Sequence, residues 1–349
     1  MFEQLLEQSP FWARIGPLAD VAMTTRVRFA RNLPSLPFAT KMRESDITIL
    51  ETIVRQAVIA STLFQNTQFV NLRDCSSDDR RFLCERDIIT HEMELSDYSS
   101  VVFDHQQNFS ILINEEDHIR IQVIKPGLQM LEAFKLADKI DDELNKYISY
   151  AFNDDIGFLT TCPSNVGTGL RVSAMLHLPM LTATKNMGEV IKIVREYQAQ
   201  IKGIVHDATK TVGSIYIVSN KATLGKSEID IIEEVDKVIS IIIDLENNAR
   251  EEYYQHHKDM LEDMIWRSYA IVAFSRTMNY AEAIEHLSLI RLGVVLSVLK
   301  NIELSAINDL MIHIQVSHLQ KIAGKIFATS EEGDSFRAAY LRKRFGDKE

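Results

Sequence analysis

The sequence is poor in the residues that build disulfide frameworks, metal clusters and flexible linkers. Only three of its 349 residues are cysteines, Cys75, Cys84 and Cys162, an odd number without a CxxC pair. This pattern argues against a disulfide framework and against a structural zinc site. With 13 glycines and 7 prolines, the chain has the composition of neither a collagenous nor a disordered protein.

Basic residues and long apolar runs are also scarce. The 38 lysines and arginines are outnumbered by 49 acidic residues, which gives a net charge of −11. Binding of duplex nucleic acid requires a basic face, which a chain with this net charge is not expected to have. Any anion that the protein binds must therefore be held by a local cluster of cations. No apolar run reaches the ~18 residues of a membrane span, and the acidic N-terminus lacks the basic segment of a signal peptide. We therefore expect a cytoplasmic, soluble protein without nucleic-acid or membrane partners.

Several common catalytic motifs are missing. The chain has no GxxxxGK[ST] loop, and GTGLRV at Gly167 lacks the third glycine of a dinucleotide fingerprint. It has no HExxH, no spaced His/Cys cluster and no GxSxG. We therefore predict no metal-ligating residues and no serine-hydrolase chemistry.

Hydrophobic periodicity predicts an α+β fold. We expect helices over 45–64, from Gly127 onward and over 187–201, and an apolar helix from the turn CPSNVGTGLR through Leu181. The predicted strands are Val101–Phe103, Phe109–Ile113, Ile119–Ile124, Gly157–Thr161 and Ser214–Val218. After about Asn247 only helical patterns remain, so we predict two domains, 1–247 and 248–349.

Arginines placed close together are the main chemical signal in this acidic chain. Arg26 and Arg28, in TTRVRFARN, are two residues apart, so in a strand they share a face suited to phosphate. The alternative is a solvated edge strand. Arg171 follows the glycine turn, where a helix N-terminus would favour an anion.

Carboxylates precede a further arginine in NEEDHIRIQ. Between two predicted strands, Glu115, Glu116 and Asp117 stand at a strand end, where a carboxylate could orient or deprotonate a cationic substrate. The alternative is a solvated run of charges. Arg120 could hold an anion, or simply form a salt bridge with Glu115 or Glu116.

Taken together, TTRVRFARN, NEEDHIRIQ, LTTCPSNVGTGLR and SNKATLGKSE resemble the ATP:guanido phosphotransferases, in the same order along the chain. The resemblance is closest to the bacterial protein-arginine kinases and covers nearly the whole chain. It implies an antiparallel sheet flanked by helices, followed by an all-helical dimerisation and regulatory domain. Only 25 residues precede Arg26, so we expect the N-terminal helical domain of the small-molecule kinases to be absent.

The resemblance also implies roles. Glu116 and Asp207 would be catalytic carboxylates, and Cys162 would be the reactive cysteine, beside cations that favour a thiolate. The positions implied to bind ATP are Thr24, Thr25, Arg26, Val27, Arg28, Arg120, Arg171, Val172, Ser173, Ala174, Met175, Lys202, Gly203, Ile204, Val205 and His206. Mg²⁺ would be held mainly through the ATP phosphates, with no protein metal site.

Four departures from the family pattern stand out. Lys202 replaces a phosphate-binding arginine, Asp207 replaces the second catalytic glutamate, and Asp87 replaces a nucleotide-contacting histidine. GDSFRA resembles the RDxxRA phosphoarginine-sensing motif without its first arginine, leaving Asp334 and Arg337 as pocket residues. These departures raise two questions: whether the protein is fully active, and whether the allosteric pocket can bind phosphoarginine.

The pattern as a whole favours a protein-arginine kinase that transfers the ATP γ-phosphate to arginine side chains of proteins in stress response and proteolysis. The alternatives are a catalytically weakened adaptor in a Clp-type proteolysis complex and a small-molecule arginine kinase. Implied partners are substrate proteins with exposed arginines, a second copy of the chain, a zinc-binding activator and a Clp-type unfoldase. The stripes Leu261/Met264/Ile265 and Ile284/Leu287/Val294 predict a dimer surface, or alternatively an internal core.

Overall fold

A central antiparallel sheet organises the first part of the molecule. The computed structural model describes residues 2–205 and 211–346. Ten strands are described: β1 Ala22–Arg31, β2 Thr67–Asn71, β3 Ser100–Asp104, β4 Phe109–Ile113, β5 Ile119–Pro126, β6 Phe152–Asn153, β7 Gly157–Phe158, β8 Leu170–His177, β9 Ala199–Val205 and β10 Thr211–Asn220. Eight of them form one sheet in the order β2-β3-β4-β5-β1-β8-β10-β9, and β6 pairs with β7.

Helices cover one face of this sheet and continue into a helical C-terminal part. Their bounds are α1 Phe2–Glu7, α2 Glu44–Ala60, α3 Ser77–Glu85, α4 His91–Glu94, α5 Met130–Asn145, α6 Pro179–Ala183, α7 Met187–Glu196, α8 Glu228–Phe274, α9 Tyr280–Val295, α10 Leu304–His313, α11 Val316–Ala323 and α12 Ser330–Phe345. The predicted α+β class, with a helical C-terminal region, is confirmed.

Alternation along β1 separates a core face from an open face. Val27 and Phe29 are buried in the main hydrophobic core with side chains from α2, α5, α7 and α8. Arg28, between them, and Arg26, next to Val27, are partly buried and lie on the opposite face. Since β1 lies between β5 and β8, the alternative of a solvated edge strand is wrong.

The segment after the glycine turn departs most from the sequence prediction. The apolar helix expected there is wrong, because residues Leu170–His177 form β8 between β1 and β10. The residues of β8 alternate between the core, with Leu170 and Val172, and the open face, with Arg171. The mostly apolar run that continues from Ala174 to Leu181 hides this alternation, so periodicity favours a helix. The predicted helix over 187–201 is likewise too long, since α7 ends at Glu196 and β9 begins at Ala199.

Helix α8 joins the sheet to the C-terminal helices. It runs across residue 247, with one non-helical residue at His257. Leu261 and Leu287 of the C-terminal helices share a core with Met23 and Ile215 of the sheet. The Arg291 guanidinium donates to the carbonyl of Asp20 at 3.0 Å. The sheet and the C-terminal helices therefore pack on each other directly.

No helix among the described residues is both long and apolar enough to cross a membrane.

Candidate active site

Neighbouring strands bring four arginines onto the open face of the sheet. Arg26 and Arg28 lie two residues apart on β1, and Arg171 on β8 is directly opposite Arg28. Arg120 on β5 is opposite Ala30, one diagonal step from Arg28. The four side chains therefore share one face of the sheet, and their convergence on a single anion site stays a prediction. Arg171 lies on a strand, so its predicted position at a helix N-terminus is wrong.

Arg28 is the most confined of the four arginines. Burial, and the charges of Arg26, Arg120 and Arg171, lower the pKa of Arg28 to about 9. Its Nε atom is buried and has no hydrogen-bond partner among the described residues. Because a buried donor without a partner is costly, this side chain is prepared for an anionic acceptor.

Three carboxylates partly balance this positive charge. Asp87 contacts Arg26 at 2.5 Å. Arg120 contacts Glu115 at 2.6 Å and Glu116 at 2.7 Å. The salt bridges considered as the alternative for Arg120 therefore exist, and they form within the arginine cluster itself.

A polar cavity of about 300 Å³ opens beside this cluster. Arg28, Arg120 and Arg171 line it together with Glu116 and Cys162. The Glu116 side chain is 43% exposed although it pairs with Arg120. Phosphate-binding cations, a carboxylate and a thiol thus meet around one space, the combination needed to place a phosphoryl group against a guanidinium.

The turn between β4 and β5 contains both the catalytic candidate Glu116 and a structural residue, Asp117. Asp117 is fully buried, so the acidic run is not simply solvated surface. Its carboxylate accepts from Asn32 Nδ2 and from the backbone N–H of Thr161, each at 2.7 Å. The second bond fixes the residue before Cys162. Asp117 therefore positions the Cys162 loop against Glu116.

A second anchor comes from the loop after β10. The Thr223 hydroxyl donates to the carbonyls of Ser164 and Val166 at 2.9 and 2.7 Å. Gly167 has φ +109°, and an added Cβ would lie 2.4 Å from the Thr223 carbonyl oxygen. Only glycine fits this approach. The sequence motif SNKATLGKSE thus acts on the cysteine loop, a role that the sequence reasoning missed.

A second, more apolar cavity of about 410 Å³ is lined by Arg26. The sheet contributes Thr24, Met175 and Ile204, and the C-terminal helices contribute Ile284 and Met311, among others. Its apolar walls and its charged edge at Arg26 and Asp87 are suited to a flat, uncharged ring that carries an anionic group.

Two family models match the chain. The C-terminal catalytic domain of the ATP:guanido phosphotransferases matches residues 49–249, and the C-terminal domain of the protein-arginine kinase McsB matches residues 258–349. The chain belongs to the ATP:guanido phosphotransferase family.

Relatives with assigned functions match over nearly the full length. A protein-arginine kinase of Bacillus cereus (strain ATCC 10987 / NRS 248) is 37% identical over 338 residues, covering 96% of this chain and 95% of the relative. One of Bacillus anthracis (strain CDC 684 / NRRL 3495) is 36% identical with the same coverage.

Solved kinase structures share the fold. The duplicated taurocyamine kinase of Schistosoma mansoni, with bound components of a transition-state analogue, is 26% identical with a TM-score of 0.61, over 74% of this chain. The chain spans only 38% of the length of that protein. The match to lombricine kinase has 20% identity and a TM-score of 0.59, and it covers 69% of this chain and 71% of the lombricine kinase chain. At this identity the match shows a shared fold and nothing more.

Not every implied ATP-binding position of this guanido phosphotransferase faces the cleft. The side chains of Val27, Val172 and Ala174 are buried in the core beneath the sheet. The Thr25 hydroxyl donates to the Gly127 carbonyl at 2.7 Å on that same side. These four side chains therefore cannot line the cavities beside the arginines, because strand residues alternate between faces. Ser173, by contrast, pairs with Arg26 on the open face.

The last implied ATP-binding segment is only partly described. On β9, Lys202 is exposed and opposite Ile217, which lines the apolar cavity, and Gly203 is opposite Tyr216. Val205 ends β9. His206 and the second carboxylate, Asp207, lie outside the described residues.

The two residues implied for a phosphoarginine pocket serve internal contacts. Arg337 is buried and donates to the carbonyls of Ile314 at 2.8 Å and Met278 at 2.9 Å. It also contacts Asp334, at 2.5 Å. This guanidinium ties α12 to the segments before α9 and α11.

Proposed function

We propose that this guanido phosphotransferase is a protein-arginine kinase, which transfers the γ-phosphoryl group of ATP to arginine side chains of proteins. The observation that carries the proposal is the convergence of Arg28, Arg120, Arg171, Glu116 and Cys162 on one polar cavity. A relative named protein-arginine kinase, which matches 96% of this chain, supports protein arginine as the substrate class.

The two cavities suggest how ATP would lie. The adenosine would occupy the apolar cavity, which has Arg26 in its wall, and the phosphates would extend over Arg28 toward the polar cavity. The partnerless Arg28 Nε fits a phosphate oxygen. Mg²⁺, held through the phosphate oxygens, would supply further charge neutralisation.

Glu116 would act on the substrate guanidinium. A carboxylate at this position can hold the cation through charge-assisted hydrogen bonds and accept a proton as its nitrogen attacks. The new N–P bond forms as the bond between the γ-phosphorus and the bridging oxygen of ADP breaks, and the displaced proton passes to the carboxylate. Asp207 is proposed as a second carboxylate, and Cys162 as a polar neighbour of the guanidinium.

Transfer of acid-labile phosphate from ATP to a basic protein tests the proposal. The Glu116→Gln variant should lose transfer by at least about 10²-fold, because an amide accepts no proton. Arg120→Ala should weaken ATP binding and abolish transfer. Glu44→Gln removes an exposed carboxylate that pairs with Arg73 and lines neither cavity, so it should leave the rate unchanged. A wild type that binds partner proteins but transfers nothing, with or without an activator, would establish the adaptor role instead.

The organisation of the complex is part of the proposal. We divide the chain into a catalytic domain, 1–247, and a helical dimerisation and regulatory domain, 248–349. The proposed partners are exposed arginines of substrate proteins, a second copy of the chain, a zinc-binding activator protein and a Clp-type unfoldase.

A further inference from the structure

Beside the apolar cavity, three side chains with different donor atoms come together. The Cys84 thiol, the His91 imidazole and the Glu94 carboxylate place one ligand atom each, all within 4.8 Å of one another. His91 Nδ1 and Glu94 Oε2 are 3.0 Å apart. Thiolate, imidazole and carboxylate together form a ligand set typical of zinc.

A rigid local scaffold holds these three side chains. Cys84 lies at the end of α3, and His91 and Glu94 are three residues apart on the single turn α4, so they share a face. The connection between the helices is pinned by backbone bonds from Asp87 to Cys84 at 2.9 Å and from Ile88 to Leu83 at 3.0 Å. The ligand set is therefore preformed rather than assembled by loop closure.

The connection is also held from outside. The buried guanidinium of Arg86, between the two helices, donates to Gln107 Oε1 at 2.9 Å and to the Gln8 carbonyl at 2.5 Å. Such contacts fix the path of the chain between Cys84 and His91.

The surroundings of the thiol are negatively charged. Burial and the carboxylates of Glu94, Asp87 and Glu85 raise the pKa of Cys84 to about 12. A bound cation would offset these charges. The His91 side chain is 73% exposed, so an ion can enter from solvent and keep a water molecule as its fourth ligand.

We propose that Cys84, His91 and Glu94 form a Zn²⁺ site with one open position. On binding, the thiol loses its proton to solvent and the sulfur becomes an anionic ligand. Mg²⁺ and Ca²⁺ prefer oxygen ligands only and are excluded by this donor set. The site does not depend on the proposed kinase activity.

Cobalt absorption tests the site directly. The full chain, stripped with a chelator, is titrated with Co²⁺ at neutral pH. We expect one equivalent to produce a near-ultraviolet thiolate-to-cobalt charge-transfer band, which Zn²⁺ then removes. The absence of this band would overturn the proposal.

The three cysteines of the chain supply matched controls. Cys84→Ser should abolish the band, whereas Cys75→Ser and Cys162→Ser should preserve it. His91→Ala changes a mostly exposed side chain, so the fold should survive, and cobalt affinity should fall by at least about tenfold. A band lost in Cys162→Ser but kept in Cys84→Ser would place the metal elsewhere and refute the assignment.

Discussion

Asp87 places a negative charge where an incoming phosphate would bind. Its carboxylate contacts Arg26 at 2.5 Å, and its backbone has φ +57°. Aspartate and asparagine both tolerate this left-handed conformation. Asp87 thus competes with an anionic ligand for Arg26, which a histidine at this position would not do when neutral.

We therefore expect Asp87→Asn to tighten ATP binding by roughly two- to fivefold, the range of a partly exposed ion pair. The asparagine keeps the backbone conformation and removes the charge. Isothermal titration calorimetry with ATP measures the change. The control is Asp97→Asn, which breaks an exposed pair with Arg80 outside the cleft and should leave the affinity unchanged. Weaker ATP binding in Asp87→Asn would mean that Asp87 orients Arg26 rather than masking it.

Among the elements, α11 depends on a carboxylate from the catalytic part. Glu85, at the end of α3, accepts the backbone N–H groups of Ser317 at 3.0 Å and His318 at 3.1 Å, in the first turn of α11. These are the N–H groups that a helix leaves without internal partners. Glu85 also contacts the His318 imidazole at 2.8 Å. One side chain therefore joins the sheet part to the C-terminal helices.

Burial gives this cap a dependence on pH. It raises the pKa of Glu85 to about 7, against 4.5 in the unfolded chain. A raised folded-state pKa contributes stability that is complete below pH 4.5 and is lost as the pH rises through about 7. For His318, burial and Arg86 lower the pKa, so its contribution is present above pH 6.5 and is lost as the pH falls below that value.

Glu85→Gln should therefore remove the loss of stability between pH 4.5 and 7, because the amide can still accept from one backbone N–H without ionising. Urea unfolding at several pH values measures this slope in the variant and in the wild type. Glu92→Gln, in the exposed part of α4, is the control and should follow the wild type. If the free energy of unfolding changed with pH equally in Glu85→Gln and in the wild type, Glu85 would have the same pKa in the folded and unfolded chains, and the prediction would be wrong.

At the scale of the whole molecule, the apolar stripes predicted as a dimer surface lie inside one chain. Leu261, Ile265 and Leu287 are fully buried in the C-terminal core, and Ile284 is 5% exposed. The alternative of an internal core is confirmed for these residues. The outer side of α8 instead exposes Trp266 by 50% and Phe274 by 72%, and this surface is our candidate for the dimer contact.

Replacing both residues, as in the double variant Trp266→Glu/Phe274→Glu, should convert a dimer into a monomer, because two buried charges would face each other across the contact. Sedimentation equilibrium at micromolar concentration measures the mass. Ile59→Glu, at a residue of α2 that is 77% exposed, should leave the mass unchanged. A wild-type monomer under these conditions would contradict the proposed dimer.

Local sequence determined much of this protein. Alternation predicted that Arg26 and Arg28 share a face, and the strands β3, β4 and β5 were predicted within a few residues because each combines apolar alternation with clear turns. The long motifs determined the family. In these cases the signal lies within a few neighbouring residues, so no distant contact was needed to read it.

Tertiary structure alone decided the rest. The mostly apolar run that follows Ala174 is typical of a buried helix, so β8 and the position of Arg171 were decided by pairing with β1. The buried anchors Asp117 and Thr223 bind backbone groups 44 and 57 to 59 residues away along the chain. Cys84, His91 and Glu94 lack a recognised ligand spacing and meet only through the fold of α3 on α4. Residues distant in sequence become partners only when packing selects one arrangement, and short-range patterns carry no information about that selection.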